Sequence, residues 1–282
     1  MTNIKTKNRI TNIAIYILLS VMVIIWLFPI VWIILCSFRE EQGADISYFF
    51  PKTWSFKNYI DLFKPDAYYF PRWFANTLIV AVCTCILSSL YVLMVSYAFS
   101  RLRFKLRKPL MNIVLILGMF PGFMSMIAVY YILKALNMTQ TLLALILVYS
   151  GGAGLNYYIA KGFFDTIPRN MDEAARIDGA TQNQVFWKII IPLSKPIIVY
   201  TILTSFMAPW MDFIFVSVIM KDNYNNFTVA LGLYRMLDRE HMNDYFTRFC
   251  ASSVLVAIPI TGLFISMQKF YIEGVTGGSV KG

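Results

Sequence analysis

Residues 167–196 read IPRNMDEAARIDGATQNQVFWKIIIPLSKP, a moderately polar segment until an apolar run begins at Val185. Most of these residues favour helix, and Gly179 interrupts them. Glycine is common in the left-handed position just past a helix end, where a side chain costs energy. The segment therefore predicts two short helices joined at Gly179, an arrangement that we call the elbow.

Two capping patterns indicate where these helices begin. Asn170 followed by Glu173 matches a capping box for the first helix, although a start at Pro168 is an alternative. Thr181 followed by Gln184 matches a second capping box directly after the glycine. The second helix is therefore expected to start at once, which makes the turn between them short.

The first predicted helix offers a surface that suits contact with another protein. Ala174 and Ala175 let a second backbone approach closely, and Glu173, Arg176 and Asp178 supply charges beside them. The alternative is an ordinary amphipathic helix that rests on a lipid surface. These residues by themselves leave both alternatives open.

The rest of the chain has the composition of a membrane protein. Of its 282 residues, 58% are hydrophobic and 14% are charged, whereas a soluble domain has roughly 25% charged residues. A spanning helix needs about 20 apolar residues, and the stretches that qualify are 12–36, 75–98, 110–133, 142–160, 197–220 and 249–270. Glycines at 151, 152 and 154 interrupt the fourth stretch. The first is too long for the apolar part of a signal peptide, so we expect it to be retained.

The distribution of positive charge predicts the orientation. With a cytoplasmic N-terminus, the inside segments hold 15 of the 25 Lys and Arg residues, as the positive-inside rule requires. The densest basic stretch, 101–108, directly follows an apolar run. That position indicates a loop at a membrane face rather than a nucleic-acid surface. We therefore expect both termini in the cytoplasm and no nucleic acid as a partner, although the net charge is +10.

Chemistry by this chain itself is not indicated. The four cysteines lie in apolar runs and the single histidine, His241, is far from them in sequence, so neither a disulfide framework nor a zinc site is predicted. The phosphate-binding pattern G-x-x-x-x-G-K-[ST] is absent from the sequence. A membrane-embedded enzyme and an ATP-independent secondary transporter are the alternatives. We predict no catalytic residue, no metal site and no bound cofactor.

The elbow also resembles a known family signature. Glu173-Ala174-Ala175, three residues, Gly179, nine residues and then Ile189-Ile-Ile-Pro192 resemble the EAA loop of permease subunits of binding-protein-dependent ABC importers. Ile191 stands where the family pattern prefers leucine, which is a conservative change. Segments similar to carbohydrate-uptake permeases of the MalG type are 96–104, 210–215, 228–234 and 270–282.

This resemblance implies an all-α integral membrane protein, with six transmembrane helices and a cytoplasmic helix-Gly-helix coupling loop, as in the transmembrane domain of a type I ABC importer. It implies one permease domain over 1–282, with the EAA loop at 167–196 and a C-terminal tail at 271–282. The residues that it assigns to ATPase coupling are Glu173, Ala174, Ala175, Asp178, Gly179, Ile189 and Pro192.

The resemblance also implies partners in a bacterial cytoplasmic (inner) membrane. They are a second, MalF-like permease, a cytoplasmic MalK-like ATPase dimer that holds ATP and Mg²⁺, an extracytoplasmic sugar-binding protein, and membrane lipid. The chain would form half of a path for maltodextrin-like sugars, and galacto-oligosaccharides or another plant oligosaccharide are alternatives. The loop at about 221–247 would reach into the binding protein.

Asp212 places a charge in the interior of a predicted span. A charge there costs at least about 2.5–3.5 kcal/mol, so it needs a polar partner or water. Asp212 and Trp210 either line the sugar path or hold helices together. The packing role is favoured because, in the maltose system, the partner permease supplies most of the sugar contacts.

The tail from Glu273 is rich in glycine and serine and is expected to be disordered in isolation. By resemblance, Gly277, Gly278 and Lys281 are candidates for contact with the ATPase dimer. The alternative is a frayed terminus.

Overall fold

The structure is a computed structural model that describes residues 2–44, 48–64, 69–120, 122–152, 154–239 and 242–277, with side chains left aside for 2–7, 123 and 271–277. The helices are α1 (Thr2–Ser37), α2 (Lys57–Leu62), α3 (Phe70–Arg101), α4 (Arg107–Gly118), α5 (Gly122–Ala135), α6 (Leu142–Gly151), α7 (Gly154–Thr166), α8 (Asn170–Ile177), α9 (Gln182–Val185), α10 (Ile191–Leu193), α11 (Lys195–Met211), α12 (Ile214–Met220), α13 (Val229–Met236) and α14 (Met242–Gly277). A π-helical turn covers Phe186–Ile190 and a 3₁₀ turn covers Tyr224–Asn226. No β-strand forms within the described residues, so the predicted all-α class is confirmed.

Local sequence explains several helix starts. Proline stands in the first turn of α3 and of α11, where its missing N–H has no intrahelical partner to lose. Thr141 caps α6, because its side-chain oxygen accepts from the backbone N–H of Ala144 at 3.2 Å. Of these three helices, α11 directly follows the elbow.

Three described helices are long and apolar enough to cross a membrane: Asn8–Ser37, Phe70–Arg101 and Met242–Phe270. Two bent pairs raise the number to five if each pair is one span: Leu142–Gly151 with Gly154–Thr166, bent by 41°, and Gln182–Leu193 with Lys195–Met211, bent by 83°. The first bend lies at the glycines that interrupt the fourth apolar stretch. The predicted third stretch divides into α4 and α5 on either side of Pro121, which lies outside the described residues. Six spans therefore stay a prediction.

Two apolar stretches differ from an uninterrupted helix of the predicted length. The stretch 197–220 breaks after Met211, because Asp212 has extended backbone (ψ 105°) before α12 begins. The stretch 249–270 is part of a longer helix that ends only at Gly277. The first residues of the tail are therefore helical, and the expectation of disorder from Glu273 onward is wrong for them. Helix propagation adds a hydrogen bond for each further residue, which offsets the low propensity of glycine.

The chain divides into two compact units. The first contains Met1–Tyr68 and Arg235–Ala257, and the second contains Tyr69–Tyr234 and Ile258–Gly282. In the first unit, no residue in the most apolar window of α1 is buried. A membrane helix with such a surface contacts lipid or another transmembrane helix.

The segment after α1 is held by polar contacts within the first unit. Asn58 of α2 donates to the carbonyl of Ser37 at 3.0 Å and accepts from the Thr247 hydroxyl at 3.0 Å. Asp61 pairs with Arg248 at 3.3 Å. A hydrogen bond from Lys64 and the charge of Arg248 lower the pKa of Asp61.

In the second unit, α3 is central and packs against α6, α7 and α11. Small polar side chains lie at these contacts: the Ser205 hydroxyl donates to the Ser88 hydroxyl at 3.1 Å, and the Ser96 hydroxyl donates to the Tyr157 carbonyl at 3.0 Å. Small residues let helices approach closely in a membrane protein. Because α7 precedes the elbow and α11 follows it, this packing holds both ends of the elbow.

Candidate functional site

The first limb of the elbow is α8, and it ends as the sequence predicts. Gly179 has φ +82°, the left-handed conformation that favours glycine. The Ala180 N–H donates to the Ala175 carbonyl at 2.9 Å and the Gly179 N–H donates to the Arg176 carbonyl at 3.0 Å. This pair of bonds is a Schellman motif, which satisfies the last carbonyls of the helix. The predicted positive φ at Gly179 is confirmed.

One of the two predicted capping boxes is present. The Thr181 hydroxyl accepts from the Gln184 N–H at 3.3 Å, and the Gln184 side chain accepts from the Thr181 N–H at 2.8 Å. The box at Asn170 is wrong, because Asn170 is already helical and Arg169 occupies the cap without a side-chain bond. The Met171 N–H donates to the Pro168 carbonyl at 3.3 Å. The alternative, an earlier start at the proline, describes this turn.

The second limb bends sharply into α11. A π-helical turn, Phe186–Ile190, precedes Pro192, which has no N–H and cannot extend the α-helical hydrogen-bond ladder. Ser194 is fully buried and follows the proline, and its hydroxyl donates to the Ile190 carbonyl at 2.6 Å. The chain then turns by 83°. The elbow therefore continues directly into the start of α11.

An apolar cluster fixes the back of the elbow to the helices around it. Its buried members from the elbow are Ile167, Val185, Phe186 and Ile190, and those from α3, α7 and α11 are Val92, Leu93, Tyr97, Ala160, Phe164 and Ile197. The rings of Tyr97 and Phe186 lie 4.9 Å apart. Ile189, which the family pattern singles out, is half-buried and Pro192 is exposed, whereas Ile190 is fully buried.

A buried ion pair adds a polar contact that the sequence did not reveal. Arg101 Nε at the end of α3 lies 3.2 Å from Asp172 Oδ2 on α8, and the two side chains are 2% and 8% exposed. Arg101 also donates to the Ile167 carbonyl at 2.8 Å. Arg101 is therefore the buried last residue of α3, and the basic stretch leaves the helix after it. Arg101 holds α8 against the end of α3.

The opposite side of α8 is open. Glu173, Ala174 and Asp178 are exposed, and Ile177 is 86% exposed. Residues three or four positions apart share one face of a helix, as Glu173 and Ile177 do. Ala175 packs against the cluster instead, and Asp172 is buried against Arg101. Ile177 and Ala174 give this face exposed apolar area beside its acidic residues. Beside this face lies a cleft of about 560 Å³ whose charged residues are Arg101, Arg103, Arg169, Asp172, Glu173 and Arg176.

The break at Asp212 places its carboxylate between two donors. Oδ2 accepts from the Tyr149 hydroxyl of α6 at 3.0 Å, and Oδ1 accepts from the Phe215 N–H in α12 at 2.9 Å. Asp212 therefore has the polar partner that its position demands. Trp210 is 4% exposed and packs on Phe74, with ring centroids 5.3 Å apart. Asp212 lines a cavity and Trp210 is not among the lining residues.

The start of the 221–247 loop is held by α3. Trp73 donates to the Tyr224 carbonyl at 2.9 Å, and Asn76 donates to the Asn225 carbonyl at 2.9 Å. Gly232 of α13 lies so close to the Trp73 ring that a Cβ would overlap it. This part of the loop is therefore closely packed against α3. His241 lies outside the described residues.

The described part of the tail ends at Gly277, in α14, and Gly278 and Lys281 lie beyond it. Among the described residues, no group of three or more His, Cys, Asp or Glu side chains is placed to hold a metal ion. The site described above consists of an anchored elbow with one open face.

Comparison with known proteins identifies the family. The chain matches the family described as "Binding-protein-dependent transport system inner membrane component" over residues 93–271. It is 34% identical, over 100% of both chains, to the "Galactooligosaccharides transport system permease protein GanQ" of Bacillus subtilis (strain 168). It is 33% identical, over 99% of both chains, to the "Maltodextrin transport system permease protein MalD" of Streptococcus pneumoniae (strain ATCC BAA-255 / R6).

The fold is shared with a solved structure, a bacterial ABC transporter involved in the import of the acidic polysaccharide alginate. The TM-score is 0.77 and the identity is 21%, over 94% of this chain and 98% of that chain. The matched family region contains the whole elbow, as the resemblance of the EAA pattern predicted. The chain belongs to the family of binding-protein-dependent transport system inner membrane components, and it is a multi-pass membrane permease with the fold of a type I ABC importer transmembrane domain.

Proposed function

We propose that this chain forms half of the translocation path of an ATP-driven oligosaccharide importer and that the elbow couples it to a separate ATPase. The observation that carries the proposal is the contrast between the two sides of α8. Its back is tied to α3 by the buried Arg101–Asp172 pair. Its front presents Glu173, Ala174 and Ile177 to the surroundings.

The arrangement suits transmission of force between proteins. Small Ala174 allows a close backbone approach, while the exposed Ile177 supplies apolar area and Glu173 supplies a charge for pairing. A partner that closes on this face would move the elbow as one piece, because the cluster behind it is buried. The motion would then reach α11 through the bend at Ser194.

The proposed partners are those of an importer of this family: a second permease, a cytoplasmic ATPase dimer that binds ATP and Mg²⁺, and an extracytoplasmic sugar-binding protein. The proposed location is a bacterial cytoplasmic membrane with the elbow and both termini in the cytoplasm, which the excess of Lys and Arg in these segments supports. The tail residues Gly277, Gly278 and Lys281 are proposed to contact the ATPase.

The proposed substrates are oligosaccharides of the maltodextrin or galacto-oligosaccharide class. The support comes from relatives whose names specify those sugars, at 33% and 34% identity over nearly the full chain. A binding measurement on the sugar-binding protein encoded with this permease can distinguish the two classes of sugar. The matching sugar is expected to raise its melting temperature, because a ligand that binds the folded state stabilises it.

The coupling role is tested by reversing one charge on the open face. Glu173→Lys is expected to reduce the amount of ATPase that co-purifies with the permease, without reducing permease in the membrane. Asp222→Lys is the matched control, since Asp222 is also exposed and lies outside the elbow. Equal recovery of the ATPase with both variants would contradict the proposal.

A further inference from the structure

A second feature, apart from the elbow, is a cavity of about 600 Å³ beside the break at Asp212. Helices α3, α5, α6, α7, α11 and α12 all contribute to its lining. Its volume lies in the range of about 300–1,000 Å³ that is usual for small-molecule sites. All lining residues belong to the second compact unit.

The carboxylate of Asp212 is held in place in this cavity but is not saturated. The bonds from Tyr149 and Phe215 occupy one position on each oxygen. An ionised carboxylate has about four acceptor positions. Asp212 is half-buried, so the remaining positions are open to a donor that enters the cavity.

A second polar side chain in the lining is Asn156, which is half-buried. Its amide can both donate and accept hydrogen bonds. Thr84 also lines the cavity, but its hydroxyl oxygen is fully buried, so a molecule in the cavity does not reach it. The amide beside the carboxylate suits a ligand with several hydroxyl groups.

The cavity also has an aromatic wall. Phe215 and Tyr149 contact each other edge to face with ring centroids 6.0 Å apart, and both line the space. A wall of this kind beside a carboxylate and an amide suits a molecule with apolar C–H faces and polar O–H edges. A sugar ring has that chemistry, whereas a dehydrated cation would need more than one carboxylate.

We propose that this cavity is a sugar subsite, in which Asp212 and Asn156 bond the hydroxyls of one ring and Phe215 packs on its face. The inference rests on the proposed function and deepens it: this subunit contacts the transported sugar directly. Asp212 then serves both roles that the sequence suggested. Its hydrogen bonds join α6 to the start of α12, and it lines the proposed sugar path.

The test uses the purified complete importer in detergent, without ATP, with the four native cysteines of this chain replaced. Ser125, which is exposed and lines the cavity, is changed to cysteine as a probe for alkylation by a maleimide. Maltotriose and a galactotriose are titrated as ligands. At least one of them is expected to slow alkylation in a saturable manner over the millimolar range.

Three substitutions added to the probe variant locate the protection. Asn156→Ala removes the amide and is expected to raise the half-protecting sugar concentration by about twofold to tenfold, the loss of one neutral hydrogen bond. Asn112→Ala, on the exposed surface of α4 outside the cavity, is the matched control and should leave that concentration unchanged. Thr84→Val should also leave it unchanged, because the Thr84 hydroxyl oxygen is fully buried. An Asn156→Ala variant with the half-protecting concentration of the parent would overturn the proposed contact.

The ATPase rate of the same preparation separates the two proposals. If sugar-loaded binding protein stimulates the ATPase but neither sugar slows alkylation at position 125, the subsite proposal is wrong and the proposed function stands. A cysteine at 125 that is blocked in the complex without sugar, but reactive in the isolated chain, also overturns it, because the partner permease then fills the cavity. Absence of stimulation with the parent complex overturns the proposed function itself.

Discussion

The buried pair between Arg101 and Asp172 gives the most quantitative prediction. Its side chains are 2% and 8% exposed, and removal of one partner from such a pair costs about 3–5 kcal/mol, because the other charge stays buried without compensation. A cost of 3 kcal/mol shifts an equilibrium by a factor of more than about 100. Arg101→Ala is therefore expected to favour an elbow that has separated from α3.

The separated elbow should be visible in two assays. Tryptic cleavage within the elbow, at Arg176 or Lys188, should accelerate, because proteolysis reports the population of the open form. ATPase stimulation by loaded binding protein should fall at least about tenfold, since a detached elbow no longer moves α11. Membrane abundance should stay near that of the parent chain, because the apolar helices are unchanged.

Two variants control for other causes. Arg103→Ala removes an exposed arginine from the same cleft and should leave both readouts unchanged. The double variant Arg101→Leu with Asp172→Leu removes both charges, and should restore resistance to trypsin in part, because no unpaired charge remains buried. If Arg101→Ala has the cleavage rate and the stimulated ATPase of the parent chain, the pair does not anchor the elbow.

Four further changes test other parts of the account. Gly179→Val should leave insertion intact but abolish sugar-stimulated ATPase activity, because φ +82° is strained for a β-branched residue; parent-level stimulation would refute this. Gly232→Ala should destabilise the loop against Trp73, where a Cβ would overlap the ring, and hydrogen exchange there should rise. Deletion of 236–243 should lower uptake at unchanged membrane abundance, and normal uptake would exclude a role in release of sugar. Removal of 275–282 should reduce the stimulated ATPase rate without reducing co-purification of the ATPase. An unchanged rate would indicate that the tail is only a frayed terminus.

Features that depend on neighbouring residues were open to prediction from sequence. The positive φ at Gly179 and the reciprocal bonds of Thr181 and Gln184 involve groups a few residues apart. The bend in the fourth apolar stretch follows from its glycines. The start of α8 was harder, since Pro168 and Asn170 both offered a plausible first turn, and the turn at the proline formed.

Features that depend on distant residues were not open to prediction. Arg101 stands in a basic run that resembles an ordinary membrane-face loop, and only the fold brings Asp172 to it. The break at Asp212 lies within an apolar stretch, and it is stabilised by Tyr149 from another helix. The 86% exposure of Ile177 also needs the fold, because an isoleucine in an amphipathic segment is more often buried.

The most direct test of the central claim is a crosslink from the open face of α8 to the ATPase. In the complete importer, with this chain's native cysteines replaced, a cysteine at Ala174 should crosslink to the ATPase through a short bifunctional maleimide reagent. A cysteine at Ile159, exposed on α7 outside the elbow, should not do so. Crosslinking at 174 with yields that change when ATP is added is the result that the account predicts. An ATPase that co-purifies but never crosslinks to position 174 would contradict it.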